Sequence, residues 1–111
     1  MKIDVKGAQT AVVCLQSTED NVLIRACDSL FKFAEKSDGN KLLLHEMGAT
    51  DTLFTLTHHE NPIVQRNATM VFGVMSTHRE IFISIHPKHS FSRSIQRIFV
   101  DIFVKLIVFH I

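Results

Sequence analysis

The sequence has almost no net charge: 12 Lys and Arg residues stand against 11 Asp and Glu residues over 111 positions. This near balance does not supply the general positive field that holds most nucleic-acid-binding proteins to phosphate. The chain is also too short for a two-domain enzyme. Apolar residues make up 46% and charged residues 21%, a balance that excludes disorder of the whole chain. The composition therefore predicts one small domain with a buried core.

Cysteine is scarce as well. Cys14 and Cys27 are the two cysteines of the chain, and without a second closely spaced pair they do not support a zinc site. Both fall at apolar positions of the pattern, so we expect buried structural thiols. The opening residues, Met1 to Asp4, form no apolar signal segment. Together these features predict a reducing, cytoplasmic environment.

The sequence contains no recognisable catalytic or cofactor pattern. It has no Gly-rich phosphate loop, and His58-His59-Glu60 lacks the spacing that places two imidazoles and a base on one helix face. Seven histidines are present, but none shows the spacing of a metal-ligand set. The sequence therefore predicts no enzymatic activity, no cofactor, no metal and no small-molecule substrate.

An internal repeat organises most of the chain. Apolar positions of the two copies coincide when the chain is shifted by 41 residues without a gap. Identical residues at this shift include Gly7-Ala8 with Gly48-Ala49, Leu15 with Leu56, Glu19 with Glu60, Arg25 with Arg66, and Phe31 with Phe72. The repeat predicts two copies of one structural unit.

Helical spacing is the local signal in each copy. In the first copy, apolar residues recur at the spacing of one helix face: Leu23, Ala26, Cys27, Leu30, Phe31 and Ala34. We expect this helix to be capped by Asp20 or Asn21 and to end near Glu35. In the second copy, Asn61 followed by Pro62 predicts an N-cap and a first-turn proline.

A turn and two shorter helices separate these long helices. Residues 37–40 predict a turn, and residues 41–47 predict a short helix that ends at Gly48 in a left-handed cap. A further helix is expected from about Thr50 to Thr57. Each unit is thus expected to contain a short, a medium and a long helix.

The string from Gly39 to Leu56, GNKLLLHEMGATDTLFTL, resembles the armadillo signature: an Asn-Lys opening, an apolar short helix, Gly-Ala and an apolar second helix. With residues 62–73, the resemblance covers residues 7–80 as two units, 7–47 and 48–80. It implies an all-α fold, an armadillo-type α-solenoid fragment of about two repeats with an atypical C-terminal tail. It also implies a non-catalytic scaffold that binds protein partners on its helix surfaces. Because one family member is associated with cilia and male germ cells, a ciliary or flagellar location is implied too.

The resemblance departs from one armadillo class. Armadillo proteins that recognise nuclear-localisation signals carry Trp and, four residues on, Asn on the third helix. Those positions hold Asp28 and Lys32 in the first copy and Thr69 and Gly73 in the second, and the chain has no Trp. This argues against binding of that kind. The predicted partner-binding residues, which an ordinary solvated helix surface would equally explain, are Arg25, Asp28, Lys32, Arg66 and Thr69.

Residues 81–111 do not continue the pattern. They hold four Lys and Arg residues and one acidic residue, whereas residues 1–80 hold eight and ten. Pro87 interrupts the expected short helix, and His89 and Ser90 stand where Gly-Ala would recur. We therefore expect a non-repeat, apolar and basic tail, as in a truncated or alternatively spliced form or a gene-model error.

The tail carries the alternative predictions. Residues 98–111 are too short, and with Asp101 and Lys105 too charged, to span a membrane. Packing over the last repeat, or aggregation of a β-prone segment, is expected instead. The basic residues Lys88, Arg93 and Arg97 would be the basis of an alternative function, binding to an anionic surface or to nucleic acid. The open ends of a two-unit stack also predict self-association.

Overall fold

A computed structural model describes residues 4–85, and this part of the chain consists of helices joined by short turns, with no strand. The predicted all-α fold is confirmed, and the succession of packed helices is that of a small armadillo-like fragment. The helices are α1 (Val5–Cys14), α2 (Asp20–Ala34), α3 (Asp38–Glu46), α4 (Ala49–Leu56), α5 (Pro62–Met75) and α6 (Arg79–Ile85).

The helices follow the 41-residue repeat. α1 and α2 recur as α4 and α5, and α6 begins 41 residues after α3. The predicted boundary at residue 80 lies inside α6, whose residues Ile81 and Phe82 are buried. The predicted interruption at Pro87 lies outside the described residues, which end at Ile85. In the repeat register, α6 therefore holds the position that α3 holds in the preceding unit.

The long helices begin differently. The N-cap at Asn61 is confirmed: its Oδ1 accepts hydrogen bonds from the backbone N–H groups of Ile63 (2.9 Å) and Val64 (3.4 Å). The predicted cap of α2 is wrong. Asp20 and Asn21 lie within the first turn, and the N-cap residue, Glu19, caps with no side-chain hydrogen bond.

The short helix α3 begins earlier than predicted. Ser37 is its N-cap, and the Ser37 hydroxyl accepts a hydrogen bond from the backbone N–H of Asn40 at 3.1 Å. The residues predicted as a turn therefore form the first turn of the helix. At its other end, Gly48 has φ +85°, as predicted for a left-handed position, and its N–H donates to the carbonyl of His45.

The two long helices run parallel and form the centre of the core. At their N-terminal ends, Asn61 Nδ2 donates to Asp20 Oδ2 at 2.8 Å. At the other end, Asn40 Nδ2 donates to the carbonyl of Phe33, and the adjacent Lys41 reaches Thr77 Oγ1 just after α5. Their inward sides contribute buried apolar residues: Leu23, Cys27 and Leu30 from α2, and Val64, Ala68 and Val71 from α5.

A histidine joins three of the other helices. The Ser84 hydroxyl in α6 donates its hydrogen to the Ile81 carbonyl. Ser84 Oγ is therefore the acceptor in its contact with His45 Nε2, at 3.2 Å. His45 Nδ1 is then the acceptor for the buried Thr50 hydroxyl of α4, at 2.7 Å. The α3 imidazole thus links α4 to α6.

We expect Gly48→Ala to lower the free energy of unfolding by about 1–2 kcal/mol, the cost of a left-handed conformation for an L-residue with a Cβ. Apart from Gly48 itself and its two chain neighbours, no described residue has an atom within 4 Å of the position that the Cβ would take. The effect should therefore come from the backbone and not from a clash. Urea denaturation followed by circular dichroism measures it.

Gly39→Ala is the matched control. Gly39 lies in helix α3, and an added Cβ would meet Ser37 Oγ at 3.8 Å, an ordinary contact. Because alanine restricts the unfolded chain and suits a helix, this change should raise stability by about 0.4–1 kcal/mol. Equal effects of the same sign at both glycines would contradict the assignment of Gly48.

Candidate protein-interaction surface

The outward side of α2 presents three of the predicted residues. Arg25, Asp28 and Lys32 are all exposed, and they recur every three or four residues, opposite the buried Leu23 and Leu30. This is the spacing of one helix face. The predicted residues of the first unit therefore lie together on solvent-accessible helix surface.

On α5 the equivalent positions are less uniform. Arg66 is exposed, whereas Thr69 is half-buried and its hydroxyl donates to the Gln65 carbonyl at 2.7 Å. Gly73 is buried, so it adds nothing to an exposed face. Arg25 and Arg66 are separated by one repeat length, so they hold equivalent positions of α2 and α5. We call Arg25, Asp28, Lys32, Arg66 and Thr69 the polar face.

The polar face carries more positive than negative charge. Asp28 and Lys32 form an i, i+4 ion pair at 3.2 Å with both side chains about 60% exposed, an arrangement that contributes only about 0.3–0.5 kcal/mol. Within residues 4–85, no carboxylate lies at ion-pair distance from Arg25 or Arg66. The polar face therefore carries an excess of positive charge with two guanidinium groups available to a partner.

A groove of about 300 Å³ between α1 and α2 adjoins this face. Small side chains line it, and Arg25 stands at its side: the lining includes Gly7, Thr10, Ala11, Cys14, Arg25 and Ala26. The sequence pattern did not reveal this groove because its two walls come from different helices. The available sequence signal was the 41-residue repeat, because it pairs α1 and α2 in one unit as it pairs α4 and α5 in the next.

The two cysteines differ in exposure. Cys27 is fully buried, as predicted, and burial raises the pKa of its thiol to about 12. The thiol consequently stays protonated and unreactive at neutral pH. Cys14 is only half-buried, so the expectation of burial is wrong for this residue, because it lies at the rim of the groove. Both thiols are unpaired.

A cluster at the starts of α2 and α5 joins the two units. Asp20 accepts the hydrogen bond from Asn61 Nδ2 and lies 3.8 Å from His59 Nε2. His59 Nδ1 in turn accepts from the backbone N–H of Asn61 at 3.0 Å. This contact was not predicted from the sequence, although Asp20 and Asn61 are separated by one repeat length. His59 thus has a structural role here.

Most of the chain is similar in sequence to a known protein. An 81-residue segment, 73% of the chain, is 42% identical to human armadillo repeat-containing protein 3. That segment resembles this armadillo protein. The predicted resemblance to armadillo proteins is therefore confirmed. The segment spans 9% of the length of the human protein. No protein-family model matches the chain, and no solved structure does.

In an armadillo-like stack, Asn61 serves two units at once. Its Oδ1 caps α5 and its Nδ2 binds Asp20 of the preceding unit. We expect Asn61→Ala to lower the free energy of unfolding by about 1–2 kcal/mol, since a cap is lost. Asn61→Ser keeps a capping oxygen but has no amide to reach Asp20, so it should cost less. Thermal and urea denaturation of both variants measure the two contributions separately.

A direct contrast tests that assignment. In an Asp20→Ala background the partner of Nδ2 is absent, so Asn61→Ser should have almost no further effect, while Asn61→Ala should still destabilise the protein. An undiminished effect of Asn61→Ser in this background would contradict the role of the amide in joining the units.

Within residues 4–85, no group of three His, Cys, Asp or Glu residues could hold a metal ion. In the same range, no helix is long and apolar enough to cross a membrane. The basic tail residues Lys88, Arg93 and Arg97, together with the predictions for residues 98–111, lie outside the described part of the chain.

Proposed function

We propose that the protein is a non-catalytic scaffold that binds other proteins through the surfaces of its armadillo-like helices. The observation that carries the proposal is the polar face, which presents Arg25 and Arg66 at equivalent positions of two parallel helices. The similarity to an armadillo repeat-containing protein supports the same class of function. That the whole protein acts by binding protein partners is likewise a proposal.

The charge of the polar face favours an acidic partner. Arg25, Lys32 and Arg66 outnumber the single carboxylate of Asp28, which is already paired with Lys32. Guanidinium groups bind carboxylates in a planar, two-pronged geometry. An extended acidic segment that crosses α2 and α5 could therefore meet both arginines.

A peptide titration tests this proposal. The probe is a fluorescent, extended peptide rich in Glu and Ser, and its anisotropy is followed with the full chain at low salt. We expect binding that weakens as salt rises, and that falls at least about tenfold when Arg25→Glu and Arg66→Glu are combined, because two attractions become repulsions. A peptide of equal length rich in Lys should not bind.

Lys6→Glu is the control for net charge. Lys6 is exposed on α1 and lies outside the polar face, so this variant should retain most of the binding. Equal losses with Lys6→Glu would indicate attraction to the general charge of the chain and would contradict the proposal. Undiminished binding by the double arginine variant would point instead to the alternative function, an anion-binding tail.

We place this activity in the cytoplasm, with a cilium or flagellum as the more specific proposal. The support for the specific location is the family resemblance alone. Imaging of the tagged full chain in ciliated cells tests it: enrichment along the axoneme supports the specific location, and exclusion from cilia opposes it.

A further inference from the structure

The groove between α1 and α2 has a buried apolar base. Ala11 of α1 and Ala26 of α2 line it and are both buried. Cys14 and Ser29 line it as half-buried residues, and the exposed Arg25 stands at its side. The groove therefore combines an apolar interior with a positive charge at its edge.

The space in the groove follows from the small side chains of the first unit. Three lining positions hold a larger residue in the second unit: Thr52 corresponds to Ala11, Asn67 to Ala26 and Met70 to Ser29. All three larger side chains are half-buried, so α4 and α5 accommodate them where α1 and α2 leave room. The groove is thus a property of the residues that line it within one unit.

Arg25 connects the groove to the polar face, because it belongs to both. Within residues 4–85, no carboxylate lies at ion-pair distance from its guanidinium. A partner carboxylate that binds Arg25 therefore lies beside the groove. Consecutive residues of an extended segment are about 3.3 Å apart, so a side chain one or two positions from that carboxylate can reach the groove.

We propose a further element of recognition, which rests on the function proposed above: the groove takes one large apolar side chain, such as leucine, from the acidic segment whose carboxylate binds Arg25. The volume of about 300 Å³ is sufficient, since an apolar cavity of about 150 Å³ already holds benzene. The partner is then a protein whose acidic segment is interrupted by an apolar residue. Charge brings the segment to the polar face, and the groove selects among acidic segments.

Two fluorescent peptides of equal length and charge test the proposal. One is the peptide rich in Glu and Ser, and the other has a single central Ser replaced by Leu. We expect the full chain to bind the Leu peptide about tenfold more tightly, because only this peptide buries an apolar side chain.

The two peptides also distinguish this proposal from the function on which it rests. Equal affinities that are still lost when Arg25→Glu and Arg66→Glu are combined would overturn the role of the groove and leave the proposed function standing. Absence of binding by either peptide would overturn both.

Ser29→Met fills the groove with the residue that the second unit holds at this position. Because Met70 is half-buried there, the variant should fold, which circular dichroism checks. It should bind the Ser peptide as the parent chain does and lose the tenfold preference for the Leu peptide. Ser29→Ala is the matched control: it removes the hydroxyl without filling the groove and should keep the preference. A preference that survives Ser29→Met would overturn the proposal.

Cys14 provides a local measurement in the unaltered chain. It lines the groove and is half-buried, whereas Cys27 is fully buried. Since burial raises the pKa of Cys27 to about 12, iodoacetamide at neutral pH should alkylate Cys14 alone. Saturating Leu peptide should slow this reaction at least about fivefold, because alkylation follows thiol exposure, and saturating Ser peptide should slow it less. Unchanged alkylation of Cys14 with the Leu peptide bound would place the leucine outside the groove and overturn the proposal.

Discussion

We expect Leu30→Ala to lower the free energy of unfolding by about 2–5 kcal/mol, the range for removing a buried leucine side chain from a packed core. Leu30 has no exposed surface and belongs to the central cluster of buried residues. Since small domains are stable by only about 5–15 kcal/mol, this one change could remove a large share of the stability. Urea denaturation followed by circular dichroism gives the difference.

Val13→Ala is the comparison for this prediction. Val13 is 71% exposed, so its truncation removes little buried apolar surface and should change stability by less than about 0.5 kcal/mol. Similar midpoints for the two variants would mean that α2 does not pack in the core as described.

A second large loss is expected for Ile81→Ala, again about 2–5 kcal/mol. Ile81 lies in α6 and has no exposed surface. The prediction separates two accounts of this segment, because a helix that packs as the start of a third unit must lose stability when its buried side chain is cut back. A segment that does not pack on the rest of the chain would lose no stability when Ile81 is truncated.

Ile83→Ala is the internal control because it removes the same atoms from the same helix. Ile83 is 52% exposed, so its truncation should cost under about 0.5 kcal/mol in the monomer, a typical surface effect. Both variants should be compared at dilutions where the chain is monomeric. Equally small losses at the two isoleucines would contradict the packing of α6.

Much of the fold could be predicted from the sequence because its main signals are local. The helix-face spacing in α2, the Asn61-Pro62 start of α5 and the glycine at the end of α3 all act within a few residues. α6 was harder to predict. Its start follows from the repeat length, but the change in composition after residue 80 obscured it. The burial of Ile81 depends on tertiary packing.

The candidate surface was predictable to a lesser degree. Exposure of Arg25, Asp28 and Lys32 follows from the helical period. The half-burial of Thr69 and the burial of Gly73 do not, because neighbouring elements decide them. Asp20 shows the same limit: as a short acidic residue at a helix start it resembles a cap, yet its carboxylate binds Asn61 of the other unit.

The double role of Asn61 has a consequence for cooperativity. In repeat proteins, stability is approximately a sum of terms intrinsic to each unit and terms between neighbours. Here one side chain contributes to both, because the amide that starts α5 also binds the preceding unit. Fraying of the first turn of α5 therefore weakens the contact between units, and separation of the units leaves the cap less well held. The two events are coupled, which disfavours partly folded forms with one unit open.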